Sequence, residues 1–410
     1  MERSEGRGPV LSVVIPAWNE EDGIAAIVER VLDVAPALEA VGVRGLELIV
    51  VDDGSSDKTA DVVRACPGAR LVCHGTNRGY GAALKTGFHA ATGELLGFLD
   101  ADGTYPPEHF PALCREAVEG AELVVGSRRS GADSQMPLVR RVGNLLWSNL
   151  VTLVGGRRVI DPASGMRVFY REALERLYPL PNGLNFTPVM STRAIHEGIR
   201  LREIPIPYTE RVGRSKLSVV EDGMRFMRTI IWTALTYNPV RILGGVGLAM
   251  MALAGVLAAV LVGMRIVGIT RLGPAGVTAV FSAVVLGIAG IDVFALGVTF
   301  NYLVSLFHNR PVQQELSGPS IFQTGLDRHF WWTGLLGVVV GLAFGAVSLA
   351  LGLNGWPIER LWLYLLAGTM LVLVGTQLVV FWIIVRVLEQ LSEREAAVEA
   401  DLGCVRTLER

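Results

Sequence analysis

The feature that most restricts what this chain can become is a change of character at Asn238-Pro239. Before it, apolar and charged residues mix as they do in a water-soluble domain. After it come four long apolar stretches, about Val240 to Val262, Ala275 to Leu303, Trp331 to Leu353 and Leu361 to Val385. Each is long enough to cross a hydrocarbon layer about 30 Å thick as a helix. Trp331, Trp332, Trp356 and Trp362 stand near the ends of these stretches, where aromatic side chains anchor at the headgroups. The chain is therefore expected to fold in two solvents. Residues 1–216 would form an α/β domain, 217–238 an amphipathic helix in the membrane interface, 239–388 a four-helix transmembrane domain and 389–410 a charged tail.

An even number of spans returns both termini to one side. Arg211, Arg214, Lys216, Arg225, Arg228 and Arg241 precede the first span, and Arg386, Arg394, Arg406 and Arg410 follow the last. The basic excess predicts that the α/β domain and both termini are cytoplasmic, in an integral protein of the cell membrane. In the predicted interfacial helix, Val219, Met224, Phe226, Ile230 and Trp232 alternate with Arg225 and Arg228. Asp292 falls inside the second span, where a carboxylate is costly without a partner. Arg241 lies at a matching depth, and a structural polar contact is expected in preference to a transport role.

The net charge of −2 over 410 residues gives no bulk attraction for nucleic acid. The opening MERSEGRGPV has no apolar segment of the kind a signal peptide carries. Cys66, Cys73, Cys114 and Cys404 have no metal-ligand spacing and fit a reducing compartment.

The first half alternates strand and helix patterns. Val10–Ile15, Leu46–Val51, Ala69–Cys73, Leu95–Leu99 and Leu123–Val125 read as strands, with helices about 20–34, 58–65, 82–91 and 107–119 between them. That alternation predicts a doubly wound, mainly parallel sheet. Several strands end in polar or charged residues that would share one edge: Asn19 and Glu20; Asp52 and Asp53; Asp100 and Asp102; Arg128. In extended backbone, Asp100 and Asp102 would point the same way, about 7 Å apart. Two carboxylates so placed repel unless a cation sits between them, and oxygen ligands suit Mg²⁺ or Mn²⁺ shared with phosphate. The glycines of GTNRGYGAALKTG at 75–87 fit neither common nucleotide-loop pattern and read as a tight turn with close helix packing. Lys85 within that segment reads as a surface charge. Asp161 and Arg167 in IDPASGMR are expected to pair or to fix a loop beneath the site. An apolar helix at 138–154 carries Arg140 and Arg141 at its start.

Taken in order, VVIPAWNEE, VVDDGSSD, NRGYGAALKTG, FLDADGTYPPE and VVGSR resemble family 2 glycosyltransferases with the GT-A fold. DPASGMRVFYREAL and IPIPYTERVGRSKL are similar to the dolichol-phosphate mannose synthase branch, and the resemblance covers about 10–217. The fold it implies is a GT-A catalytic domain followed by the helical transmembrane domain. The activity it implies is inverting transfer of a hexose from a nucleotide-diphosphate sugar to a polyprenyl or dolichyl phosphate, with GDP-mannose favoured and UDP-glucose next. By the same resemblance Pro16, Trp18, Glu20, Val51 and Asp53 would hold base and ribose. Asp100, Ala101 and Asp102 would line the diphosphate, Asp100 and Asp102 would hold Mg²⁺ or Mn²⁺, and Thr104 stands where a Gln often helps to ligate it. Arg128, Arg211 and Lys216 would bind phosphates of donor or acceptor, and Asp100, Asp102 and Arg128 are counted catalytic. Apart from the resemblance, Arg141 at the start of the apolar helix and Ser215 beside Lys216 are further acceptor-phosphate candidates. Trp18 departs from the family's usual Tyr. The expected partners are the nucleotide sugar, the polyprenyl phosphate and the lipid bilayer, with no nucleic acid; whether copies of the chain form a homo-oligomer is left open. A processive polysaccharide synthase is the alternative enzyme, although no Q-x-x-R-W is present. A non-catalytic scaffold or flippase subunit is the alternative outside catalysis.

Overall fold

The computed structural model describes residues 8–128, 138–208, 219–268, 273–308, 329–356 and 358–406. The chain divides into two compact units, Met1–Ala234 and Leu235–Arg410.

The first unit is built on a seven-stranded sheet. Its strands are β1 (Val10–Ala17), β2 (Gly45–Asp52), β3 (Ala69–Cys73), β4 (Leu95–Phe98), β5 (Leu123–Ser127), β6 (Arg167–Tyr170) and β7 (Leu201–Pro205), in the order β3-β2-β1-β4-β6-β5-β7. β-branched and apolar residues dominate β1, and its alternation splits the core between two faces. Leu11, Val13, Ile15 and Ala17 enter one apolar cluster with α1 (Ile24–Leu32) and α5 (Phe110–Val118); Val14 enters the other with Ile49, Val51 and α4 (Tyr80–Ala90). Both faces are therefore covered by helices, as a doubly wound sheet requires. Three short or polar elements complete the first half: α2 (Ala35–Glu39), α3 (Thr59–Arg64) and a single 3₁₀ turn at Pro107–His109.

The sheet is parallel except for β6, which pairs antiparallel with both β4 and β5. The predicted strands are all present; β6 and β7 were not foreseen. RVFY is only four residues long and begins with a charge, so it lacks the apolar run that marks a strand. Its leading Arg167 is 0% exposed and donates to the carbonyls of Ser164, Pro162 and Thr187. Of the two roles expected for it, pairing with Asp161 or fixing a loop, Arg167 takes the second and holds the 162–164 backbone.

The remaining helices of this unit are α6 (Leu138–Gly155), α7 (Arg171–Leu177), α8 (Phe186–His196) and α9 (Val219–Leu235). α9 covers most of the stretch expected to lie in the membrane interface, and it also packs within the α/β unit. Its Ile230 joins Val151, Val159 and Ile195 in a small core, Phe226 meets Trp147 edge-on at 6.4 Å, and Thr229 accepts from Asn185 Nδ2 at 3.1 Å. Met224 and Trp232 are exposed, 58% and 60%. One side of α9 is therefore core of the α/β unit.

The second unit comprises α10 (Gly245–Ile266), α11 (Pro274–His308), α12 (Phe330–Leu353) and α13 (Ile358–Arg406), with a π-helical turn at Val240–Gly244 before α10. Among the described residues, four helical segments are long and apolar enough to cross a membrane: Val240–Ile266, Pro274–Asn301, Phe330–Leu353 and Tyr364–Leu388. α12 and α13 run antiparallel, with Gly334 against Gly375 and Gly341 against Gly368. Lipid offers no hydrophobic drive for helices to associate, so bare α-carbons that allow close approach supply the contact. α13 continues as helix to Arg406 beyond its apolar part. Asp292 does not meet Arg241: its Oδ1 is buried with no hydrogen-bond partner.

Candidate active site at the β1/β4 edge

From β1 the chain moves outward to β2 and β3, then returns to the other side of β1 as β4. Such a reversal opens a crevice outside the carboxyl ends of the two strands, and ligands of open α/β sheets bind there. β1 delivers Trp18, Asn19 and Glu20 to this crevice, and β4 delivers Asp100, Ala101 and Asp102.

The first rim loops are stitched together by their own polar groups. Asn19 adopts the left-handed conformation (φ 52°), which a short amide side chain tolerates. Its Oδ1 accepts from Ser56 N at 2.8 Å, its N–H donates to Ser55 Oγ at 2.9 Å, and Glu20 N–H donates to Thr59 Oγ1 at 2.9 Å. The Glu20 carbonyl accepts from Gly23 and Ile24 and so starts α1. Asp57 accepts from Thr59 N at 3.0 Å, although the residue in the cap position of α3 is Lys58.

Asp53 is 3% exposed. Its oxygens accept from Arg78 N at 2.9 Å, Gly79 N at 2.8 Å and His74 Nδ1 at 2.6 Å, while His74 Nε2 meets Thr86 Oγ1 at 2.9 Å. This acid organises the 74–79 loop from beneath. Pro16 and Val51 face each other across the β1/β2 register and are both buried, Val51 within the apolar core. Trp18 is 40% exposed at the rim.

Asp100 and Asp102 are half-buried. The extended geometry expected for them is not kept, because the chain turns at Ala101-Asp102. Asp102 Oδ1 accepts from Thr104 Oγ1 at 2.6 Å and from Thr104 N at 3.2 Å, and Thr104 is buried. Thr104 therefore orients Asp102. Asp100 Oδ1 accepts from Tyr80 Oη at 2.7 Å. Burial, together with the Asp100 carboxylate, holds the Tyr80 hydroxyl well above its ordinary pKa, so it stays a donor. Ala101 is buried between the two acids.

Arg128, at the end of β5, forms a fork with Asp161: Nε to Oδ2 at 2.8 Å and Nη2 to Oδ1 at 2.7 Å. The Arg128 backbone N–H and Asn144 Nδ2 also donate to Asp161. The guanidinium lies 5.7 Å from the Tyr105 ring centre and 6.0 Å from that of Tyr208. Burial pushes the Asp161 carboxyl up, but the Arg128 ion pair and the donated bonds outweigh it and hold it below its usual range. Arg128 thus reaches the rim already neutralised. Glu203 braces the knot from β7 by accepting from Ile160 N and Asp161 N, both at 2.8 Å. Arg141 is exposed on α6; Arg211, Ser215 and Lys216 lie outside the described residues.

One further residue differs from the sequence reading. Lys85 is not a free surface charge, since its Nζ donates to the Leu180 carbonyl at 3.0 Å and to Asn182 Oδ1. Gly79 (φ 99°) packs on the Asn182 carbonyl, which bears out a tight turn with close packing in that segment.

Among the described residues no cluster of three or more His, Cys, Asp or Glu side chains could hold a metal alone. The pair that is present, Asp100 and Asp102 with Thr104 behind, offers oxygen donors only. That set fits a hard divalent cation sharing its shell with phosphate and water.

Residues 12–178 match the sequence family described as Glycosyl transferase family 2, and residues 239–399 match one described as Domain of unknown function (DUF8752). The chain is 35% identical over 233 residues to the low-salt glycan biosynthesis hexosyltransferase Agl6 of Haloferax volcanii, spanning 56% of this chain and 55% of that protein. It is 31% identical over 310 residues to the undecaprenyl-phosphate 4-deoxy-4-formamido-L-arabinose transferase of Photorhabdus laumondii, spanning 73% of this chain and 90% of the relative. Glucosyl-3-phosphoglycerate synthase from Mycobacterium tuberculosis is similar in structure over 55% of this chain and 80% of that one, with a TM-score of 0.45 and 24% identity. The motifs on the rim, the sheet that carries them and an alignment running nearly the whole length of a relative agree: the chain belongs to glycosyl transferase family 2.

Proposed function

We propose that this chain is a membrane-bound glycosyltransferase that moves a hexose from a nucleotide-diphosphate sugar onto a polyprenyl phosphate in one inverting displacement. One observation carries the reading. Asp100 and Asp102 stay half-exposed at the sheet's switch point, on an edge where Asp53 and Asp161 are buried and bonded internally, in a chain with four helices fit to span a bilayer.

In this reading Asp100 and Asp102 hold Mg²⁺ or Mn²⁺, which when bound offsets the charge that builds on the departing diphosphate. Trp18 offers a face to the base, Glu20 a carboxylate to the ribose, and Pro16, Val51 and Ala101 form the floor. Asp53 acts through the loop it holds. A phosphate monoester has a second pKa of about 6, so the acceptor is already nucleophilic and needs no general base. The site must instead place a second anion. Arg141, Arg211, Ser215 and Lys216 are proposed for that, and Arg128 contributes through its paired charge. The domain plan of 1–216, 217–238, 239–388 and 389–410, with a cytoplasmic catalytic domain and termini, puts the 211–216 cluster at headgroup level.

The Photorhabdus relative's name pairs a sugar with undecaprenyl phosphate, which supports a polyprenyl phosphate acceptor. GDP-mannose and then UDP-glucose are the donors to try first. Membranes bearing the chain should be incubated with a panel of radiolabelled sugar nucleotides and extracted for lipid. Label that enters the lipid fraction and is lost with Asp102→Ala supports the proposal. Label in a polymer would favour a processive synthase, and no label with any donor would favour a scaffold.

A further inference from the structure

Two residues that sequence reading assigned to loops converge on one carboxylate. Tyr80 opens α4, and its hydroxyl donates to Asp100 Oδ1 at 2.7 Å. Gly165, in the lead-in to β6, lies so close that a Cβ there would stand 2.5 Å from Asp100 Oδ2 and 2.7 Å from both Cγ and Oδ1. Asp100 is thus tethered by a hydroxyl and seated on a bare α-carbon.

Both contacts are themselves held. Gly79 and Arg78, just before Tyr80, donate their backbone N–H groups to the buried Asp53. Gly165 donates its N–H to Tyr105 Oη at 2.6 Å, and the preceding carbonyls of Pro162 and Ser164 are gripped by Arg167. A half-exposed carboxylate with solvent alone beside it would sample several rotamers, and a ligand would have to select one. Here the choice is made before any ligand arrives.

We infer that Tyr80 and Gly165 are positioning residues that fix the Asp100 carboxylate in its cation-binding orientation, Tyr80 by its hydroxyl and Gly165 by lacking a side chain. This rests on the proposed role of Asp100 in metal binding.

Full-length protein in detergent, titrated with Mn²⁺ in the presence of UDP and in parallel of GDP, gives the binding constant from the electron paramagnetic resonance signal of free Mn²⁺. Asp100→Asn should abolish the bound fraction. Tyr80→Phe keeps the ring and removes the donor, and should weaken Mn²⁺ binding about tenfold, as expected for a lost hydrogen bond to a charged group. Gly165→Ala should weaken it at least as much and lower the melting temperature. In an Asp100→Ala background the same Gly165→Ala change should leave the melting temperature unmoved, because the three nearest atoms it would meet are gone. If Tyr80→Phe binds Mn²⁺ within twofold of the unaltered chain while Asp100→Asn does not bind, the positioning role is wrong and the metal site stands. If Asp100→Asn binds as well as the unaltered chain, the metal reading falls and this inference falls with it. A melting penalty for Gly165→Ala that persists in the Asp100→Ala background would show that Gly165 serves the fold, not the carboxylate.

Discussion

Two acidic regions share the carboxyl edge of the sheet and differ in what they do with their charge. At Asp53 and Asp161 every visible opportunity is used: backbone N–H groups, a histidine, an asparagine and a guanidinium fork satisfy the oxygens below the surface. At Asp100 and Asp102 a tyrosine and a threonine donate to the carboxylates, and the groups stay half-exposed. The difference separates acids that build the rim from acids that the rim presents. In the sequence all four look alike, each standing at or just beyond an apolar run.

That contrast can be broken by substitution. The largest effect is expected on the presenting side: Asp102→Ala should lower transfer by about a thousandfold or more, on the order of 4 kcal/mol, with the melting temperature unchanged. A radiolabel assay beside a thermal melt checks both halves, and transfer at the original rate would remove the distinction. Next comes Asp161→Asn on the building side, which leaves the largely covered Arg128 without its counter-charge and should cost about 3 kcal/mol of stability, read as a lowered melting temperature.

The same pair has a pH signature. Asp161 is held below its unfolded value, so its contribution is present above the unfolded carboxylate pKa of about 4 and is lost as pH falls through the folded one. Melting curves of the unaltered chain should therefore drop on acidification below about pH 4, and those of Asp161→Asn should drop less. Smaller again, Asp53→Asn keeps one acceptor and should cost about 1–2 kcal/mol, with hydrogen exchange quickened at Arg78 and Gly79. Smallest, Lys85→Met should stay within about 1 kcal/mol, because a half-exposed ammonium bonded to a carbonyl and an amide exchanges readily for water.

The sequence displayed whatever depends on uninterrupted apolar runs. β1 to β5 and the four apolar spans were legible because burial on both faces, or in lipid, demands such runs. β6 was hidden because a buried arginine opens it, and nothing local says that a guanidinium will satisfy itself on carbonyls. The Arg128–Asp161 pair was hidden for a different reason. Charges six residues apart, as Asp161 and Arg167 are, invite pairing on paper, whereas the actual partner arrives from the end of another strand. Motif resemblance singled out Asp100, Asp102 and Trp18 as candidates without revealing Tyr80, whose contact exists only because the crossover from β3 to β4 folds back over the crevice.

The lone reversed strand has a consequence for where change is tolerated. Its neighbours bring their trailing loops to the working edge, but β6 brings the segment that leads into it, so insertions before Arg167 reach the chemistry. The same insertions after Tyr170 would fall at the opposite edge, where Arg171 clasps the carbonyls of Phe88, Ala91 and Gly93, and would loosen the scaffold while leaving the crevice intact.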